Sequence, residues 1–260
     1  MVIEKVKSSF SSINKRYVMK NGTEILVRKA CEDDIPGIAR LFEAVRIMPF
    51  NLDAKLSSEH EDSFINRGGF FEILEEKDIL RLLNNDEYVF LVSVIPGKDG
   101  KDEVNSCLYC SLNTDCFSNM KWSLDKRELS GSFICAFNTG RVCTAVEHAV
   151  VPVVQNRGAA YPVVYEMYSR LMEAGALFIM LQIYTVTGVF LNEKYQPLYL
   201  PNKRSIILNE RLGASIAGSN DIPLKKIGER EIEIKSQVYI IELKEAVKRL
   251  FNNIESYRRV

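Results

Sequence analysis

The segment with the clearest chemical logic is Gln155-Asn156-Arg157-Gly158-Ala159-Ala160, a polar, small-residue loop. Before it, Val142 to Val151 reads as a strand, and Pro152 stops it. After it, Val163, Val164, Met167 and Leu171 form the apolar stripe of a helix that Gly175 closes. A loop at such a junction is an anion site by construction. The first helical N–H groups lack intrahelical acceptors, and the helix dipole adds positive potential. Gly158 lets the backbone approach a ligand, Ala160 is small enough to keep that approach open, and Arg157 can add a charge-assisted contact to a phosphate. Taken alone, the same residues also suit an ordinary strand-to-helix turn. No GxxxxGK[ST] occurs, and the loop lacks a full GxGxxG.

Two ionisable residues sit side by side on the strand before the loop. Glu147 and His148 are adjacent, so their side chains point to opposite faces. A charge at Glu147 inside an apolar run suggests a cleft-facing or paired group, although a solvated strand-end carboxylate has the same sequence. His148 fits a satisfied structural histidine or a base. The six cysteines include Cys107-x-x-Cys110 followed by Cys116, and the two histidines, His60 and His148, lie far from them in sequence. Structural zinc wants four ligands, so no metal is expected, and free thiols in a reducing compartment are the default.

The elements that must position these groups follow from pattern. Residues 1–22 are polar and mixed in charge, and read as an N-terminal extension with some helix. Glu24 to Arg28 reads as a strand. Asp33 or Asp34 then caps a helix whose apolar face is Ile35, Ile38, Ala39, Phe42 and Val45. A second helix is expected from about Phe70 to Leu83, then strands at 88–94 and 103–112, with another starting within Phe133 to Phe137. Leu177 to Tyr184 is a strand apolar enough for burial on both sides, which completes a β-α-β unit around the loop. Residues 185–201 read as irregular. A helix from Asn202 to Leu212, strands at 214–217 and 237–243, and a helix around Lys244 to Tyr257 finish the chain.

Bulk composition narrows the function. Basic and acidic residues balance at 34 each and the pI is near 6.8, so nothing suggests a nucleic-acid partner. No apolar run is long enough for a membrane span, and the first residues do not read as a secretory signal, which together predict a cytoplasmic protein.

The loop, with Val150-x-Pro152 before it, resembles the acyl-CoA pyrophosphate loop of the GNAT superfamily of N-acyltransferases, Gln/Arg-x-x-Gly-x-Gly/Ala. Gln155, Gly158 and Ala160 match it position by position. Val27-Arg28-Lys29-Ala30 and Asp34-Ile35-Pro36-Gly37-Ile38-Ala39 are similar to the family's first strand and helix. Asn202-x-x-Ser205 followed by Leu212-Gly213-Ala214 is similar to a third, downstream pattern. The resemblance covers Ile25–Leu243, with unmatched inserts near 46–70, 97–132 and 185–201. It implies an α/β (α+β) fold: a mixed, mostly antiparallel, splayed sheet with helices on both faces, over a single domain from 23 to 260.

The resemblance also implies the chemistry. Acetyl-CoA, or another acyl-CoA, would be the co-substrate, held by Gln155, Asn156, Arg157, Gly158, Ala159 and Ala160 together with Asn202 and Ser205. A backbone N–H near Ala149–Val150 would face the thioester carbonyl as negative charge develops. The attacking amine must lose a proton, so Glu147 or His148 would serve as base. Many members carry a Tyr four residues before the Leu-Gly glycine as proton donor to the thiolate; here that position is Asn209. Tyr184, Tyr195 or Tyr199 could replace it, and a thiol with a pKa of about 8.5 can leave without an acid. The acceptor is open between a small-molecule amine and a peptide N-terminus, and a homodimer is compatible with the chain. Two other readings remain: an acyl-CoA-binding module without turnover, and a nucleotide-binding domain using the same loop.

Overall fold

The computed structural model describes residues 8–19, 21–45, 74–97, 102–112, 124–125, 129–150, 160–191, 197–227, 230–254 and 258–259. The chain opens with strand β1 (Asn14–Val18), antiparallel to β2 (Glu24–Lys29). The N-terminal extension expected to carry some helix therefore contains a strand, with residues 8–10 helical before it. Polar Asn14, Lys15 and Arg16 conceal that strand in the sequence, yet Phe10, Ile13, Tyr17 and Met19 are buried. A charged strand near a sheet edge is a common way to discourage further pairing.

Helix α1 (Ile35–Val45) follows a short turn. Asp34 accepts the Cys31 amide at 2.9 Å and two bonds from the Arg28 guanidinium at 2.6 and 2.9 Å, tying the end of β2 to the start of α1. Next come α2 (Glu76–Leu83), β3 (Tyr88–Ile95) and β4 (Glu103–Ser111). Leu74 and Glu75, expected to be helical, precede α2; residues 46–73, with the insert near 46–70 and the expected helix start at Phe70, lie outside the described residues. β4 falls within the 97–132 span and is a central strand.

Residues 133–137, expected to start a strand, belong to helix α3 (Gly131–Asn138). The Ser130 hydroxyl accepts the Phe133 amide at 3.2 Å, and Phe133 and Ala136, three apart, face the core. An N-cap and helical spacing outweigh the β-propensity of the two phenylalanines.

Strand β5 (Val142–Val150), helix α4 (Ala160–Glu173) and strand β6 (Phe178–Tyr184) form the β-α-β unit. Gly175, at φ 100°, closes α4, and the Ala176 amide reaches back to the Leu171 carbonyl at 3.0 Å. The span 185–201, expected to be irregular, contains a hairpin of β7 (Val186–Leu191) and β8 (Pro197–Pro201). Helix α5 (Lys203–Arg211) then leads into β9 (Ser215–Ile227) and β10 (Arg230–Glu242), a hairpin far longer than the short strands expected, followed by α6 (Leu243–Ile254) and β11 (Arg258–Arg259).

The main sheet has nine strands in the order β11-β1-β2-β3-β4-β5-β6-β10-β9. Every neighbouring pair is antiparallel except β5 with β6. Helices cover both faces. Met167, Tyr168 and Leu171 of α4 and Leu250 of α6 pack against one; Ile38 and Phe42 of α1 and Ile79 of α2 pack against the other. Phe133 of α3 meets Phe178 and Met180 farther along the sheet. Cys107 joins the α1-side cluster and Cys110 the α4-side cluster, so strand alternation points these two thiols in opposite directions. Cys116 lies outside the described residues. Among the described residues, no helix is long and apolar enough to cross a membrane.

Candidate functional site

The site begins where β5 leaves β6. Their parallel ladder runs from Val142–Phe178 to Ala145–Leu181 and stops there, although both strands continue. The cause is local. Against β4, Tyr109 pairs with Glu147 and Cys110 with Ala145, so Val146 is an extra residue on β5. A bulge bends its strand and increases the twist. Residues 146–150 thus part from 182–184, opening a wedge in the middle of the sheet.

Glu147 and His148 stand on the parting segment, on opposite faces. Glu147 is half-buried, and its carboxylate accepts the Tyr109 hydroxyl at 3.1 Å on the side of α1 and α2. His148 pairs with Leu108 on the α4 side, and its Nε2 lies 3.4 Å from the buried Ser106 hydroxyl. Burial lowers the His148 pKa from 6.5 to about 4, because the surroundings disfavour the charged ring. At neutral pH this imidazole is uncharged and a weak base. Ala149 and Val150 continue the strand opposite Cys107 and Ser106.

The other wall comes from the end of β6 and the start of α5. Asn202 is buried just before α5. Its side-chain amide donates to the Tyr184 carbonyl at 3.1 Å, and its backbone amide to the Thr185 carbonyl at 3.0 Å. Tyr184 and Asn202 are thereby held together. The Asn202 Oδ1 is buried and has no hydrogen-bond partner. Buried acceptors are nearly always satisfied, so this oxygen is an exception. Ser205 lies one turn into α5, where its carbonyl accepts the Asn209 side-chain amide at 2.7 Å. Asn209 is buried and turned back onto its own helix, so no acid stands at that position.

Helix α4 runs away from the open end of the wedge. The Leu177 amide, just beyond the helix, bonds to the Arg141 carbonyl at 2.8 Å, placing the C-terminus of α4 beside the start of β5. The first turn of α4 therefore lies toward the end where β5 and β6 part. There the Tyr161 hydroxyl accepts from Arg211 of α5 at 3.5 Å. Ala160 is the first residue of α4, whereas Gln155, Asn156, Arg157, Gly158 and Ala159 lie outside the described residues. Tyr195 does also, and Tyr199 is exposed on β8.

No protein-family model matches the sequence, and no curated protein matches it. Solved structures do. The ribosomal-protein-S18-alanine N-acetyltransferase from Escherichia coli superposes with a TM-score of 0.50 at 11% identity, covering 84% of this chain and 94% of that one. The chain has the GNAT N-acetyltransferase fold. An N-acetyltransferase from Staphylococcus aureus Mu50 (TM-score 0.49, 11% identity, 84% and 98% covered) and a GNAT-family acetyltransferase from Streptococcus pneumoniae (TM-score 0.44, 14% identity, 84% and 100% covered) are also similar. At these identities the likeness is one of fold.

Neither Tyr109 nor Ser106 stood out in the sequence. On β4, Tyr109 lies opposite Glu147, while Ser106, opposite Val150, reaches the His148 ring from a diagonal position; β4 also carries polar Glu103, Asn105 and Ser111, so residue type alone gave no signal.

Proposed function

We propose that the chain is an N-acyltransferase, moving an acyl group from acyl-CoA, acetyl-CoA in the first instance, to a primary amine by direct attack in a ternary complex. The observation that carries this reading is the parting of β5 from β6, with Glu147 on the departing part of β5 and Asn202 tied to the end of β6 through the Tyr184 carbonyl. The thioester supplies an activated carbonyl and a good leaving group. Asn202 and Ser205, with the loop from Gln155 to Ala160, are the groups that would hold the donor. Backbone N–H groups near Ala149–Val150 would stabilise charge on the carbonyl oxygen.

Glu147 is the favoured base. The amine nitrogen bonds to the carbonyl carbon and gives its proton to the carboxylate; the carbon–sulfur bond breaks and the sulfur takes the electron pair. His148 is less suited, being neutral to about pH 4 and facing the opposite side. Asn209 cannot protonate the thiolate; Tyr184 at the end of β6 or water takes that role. The acceptor is a small-molecule amine or a peptide N-terminus.

Asn209 also favours a second reading, an acyl-CoA-binding module without turnover. Both readings require the donor to bind through the loop. Acetyl-CoA should therefore raise the melting temperature, since it binds only the native state. Gly158→Asp, which places a negative side chain beside the pyrophosphate, should abolish that rise. An undiminished rise in the variant would mean that the loop does not hold the phosphates.

A further inference from the structure

Strand β10 outruns the neighbour it meets on the wedge side. It extends from Arg230 to Glu242, but only Ser236–Glu242 pair with β6. From Lys235 back to Arg230 its ladder partner is β9. The chain after β6 does not take up the remaining edge, because β7 turns off into a separate two-stranded sheet with β8. The pair β9–β10 therefore continues as a two-stranded arm beyond the end where β5 and β6 part.

The two edges of this arm differ. On β9, Pro223 has no N–H to offer, Leu224 is an extra residue that breaks the register, and Leu124 and Asp125 lie along Gly218 and Ala217 farther back. Proline, bulges and cover are common means of blunting a sheet edge. Among the described residues, β10 has none of them between Arg230 and Lys235. The Thr185 amide donates to the Lys235 carbonyl at 2.8 Å, so the backbone of Lys235 faces the lane of β6. By alternation the N–H and C=O of Glu233 and Glu231 face that lane too. Pro223 stands opposite Glu233, which agrees, since such a pair exchanges no hydrogen bonds.

We propose that this edge of β10 binds the acceptor, an extended peptide that adds a strand to the arm and presents its N-terminal amine at the wedge. The inference rests on the acyl-transfer reading and narrows its acceptor to a peptide. A strand antiparallel to β10, as both its neighbours are, runs in the direction of β6, so its N-terminus points back toward the wedge. Glu147 lies one ladder step past the Ala145–Leu181 pair, level with Gln182, whose partner on β10 is Val238. Val238 to Glu233 is roughly 17 Å at about 3.4 Å per residue. The first residues of a peptide span that distance, and the next ones pair with Glu233 and Glu231. Main-chain pairing supplies affinity without reading side chains, so this edge selects for peptide length. A second copy of the chain, pairing edge to edge, is the competing occupant.

The test measures thiol release from acetyl-CoA with random-sequence dipeptides and octapeptides bearing free N-termini, and with small primary amines. Octapeptides should exceed dipeptides in kcat/KM by about tenfold or more. Glu233→Pro removes one edge donor and leaves the pairing with β9 intact. It should bring octapeptides down to the dipeptide level, with dipeptide turnover and the acetyl-CoA-induced rise in melting temperature unchanged. Should that variant melt early, single N-methylation along an octapeptide substrate gives a second readout. Losses must then alternate, since every second residue faces β10. Equal turnover of dipeptides and octapeptides, or release with small amines alone, overturns the proposal and leaves acyl transfer standing. A dimer that Glu233→Pro dissociates, with turnover independent of length, overturns it in favour of the second copy. Release with no acceptor at all defeats both the proposal and the acyl-transfer reading.

Discussion

His148 offers a prediction that needs no ligand. In the folded protein its imidazole stays neutral down to about pH 4, because burial disfavours the charged ring. In the unfolded chain it protonates near 6.5. Between these values the unfolded state binds the extra proton. The stability is therefore fully present above pH 6.5, falls as pH drops toward 4, and levels off below. The whole step, at about 1.4 kcal/mol per pH unit from 6.5 down to about 4, is at most ~3.5 kcal/mol, and the part between pH 7 and pH 5 is about 2 kcal/mol. His148→Gln keeps a hydrogen-bonding group near Ser106 but cannot titrate. Thermal melts of wild type and variant at pH 7 and pH 5 should differ in slope. Wild type should lose about 4–8 °C more than the variant over that interval. Carboxylates common to both proteins cancel in the difference. Parallel losses would show that His148 does not titrate from a buried, neutral state.

Two further outcomes follow from single contacts. Tyr109→Phe removes the hydroxyl that holds the Glu147 carboxylate, and should lower kcat up to about tenfold with the KM for acetyl-CoA unchanged; steady-state kinetics that show an effect on KM alone would place Glu147 in binding instead. Gly213, which ends α5 at φ 86°, should not tolerate Ala: the left-handed backbone costs roughly 1–2 kcal/mol for a residue with a Cβ, so the melting temperature should fall by several degrees, and an unchanged melt would contradict the strain.

What could be read from the sequence was what is local. Glu147 and His148 could be assigned to opposite faces because alternation needs only two neighbours. The stop at Gly175 and the helix after Asn202 were equally visible, since caps and periodicity act within a turn or two. Tyr109 and Ser106 could not be paired with them in advance. That pairing depends on the register of β4 against β5 and on one extra residue at Val146, and register is set by packing across the sheet. The residues of α3 misled for a related reason: Phe133 and Phe137 favour strands intrinsically, whereas the Ser130 cap and a core contact decide the helix. β1 was hidden because a strand near the edge can carry Lys15 and Arg16 while burying Tyr17 alone. The loop from Gln155 to Ala159 was the strongest motif in the sequence, and its role now rests on the Gly158 variant.

The most direct test of the account is thiol release from acetyl-CoA, measured across a panel of primary amines and peptides with free N-termini, in wild type and Glu147→Gln. The proposed mechanism predicts that at least one amine stimulates release by wild type. In Glu147→Gln, which keeps the shape and removes the base, release should fall by about 10²–10⁴-fold at every pH near neutrality, with acetyl-CoA binding little changed. Wild-type protein that binds acetyl-CoA but releases no thiol with any amine would make the chain a binding module. Near-normal release by Glu147→Gln would contradict the assignment of the base and point to a water chain or another group.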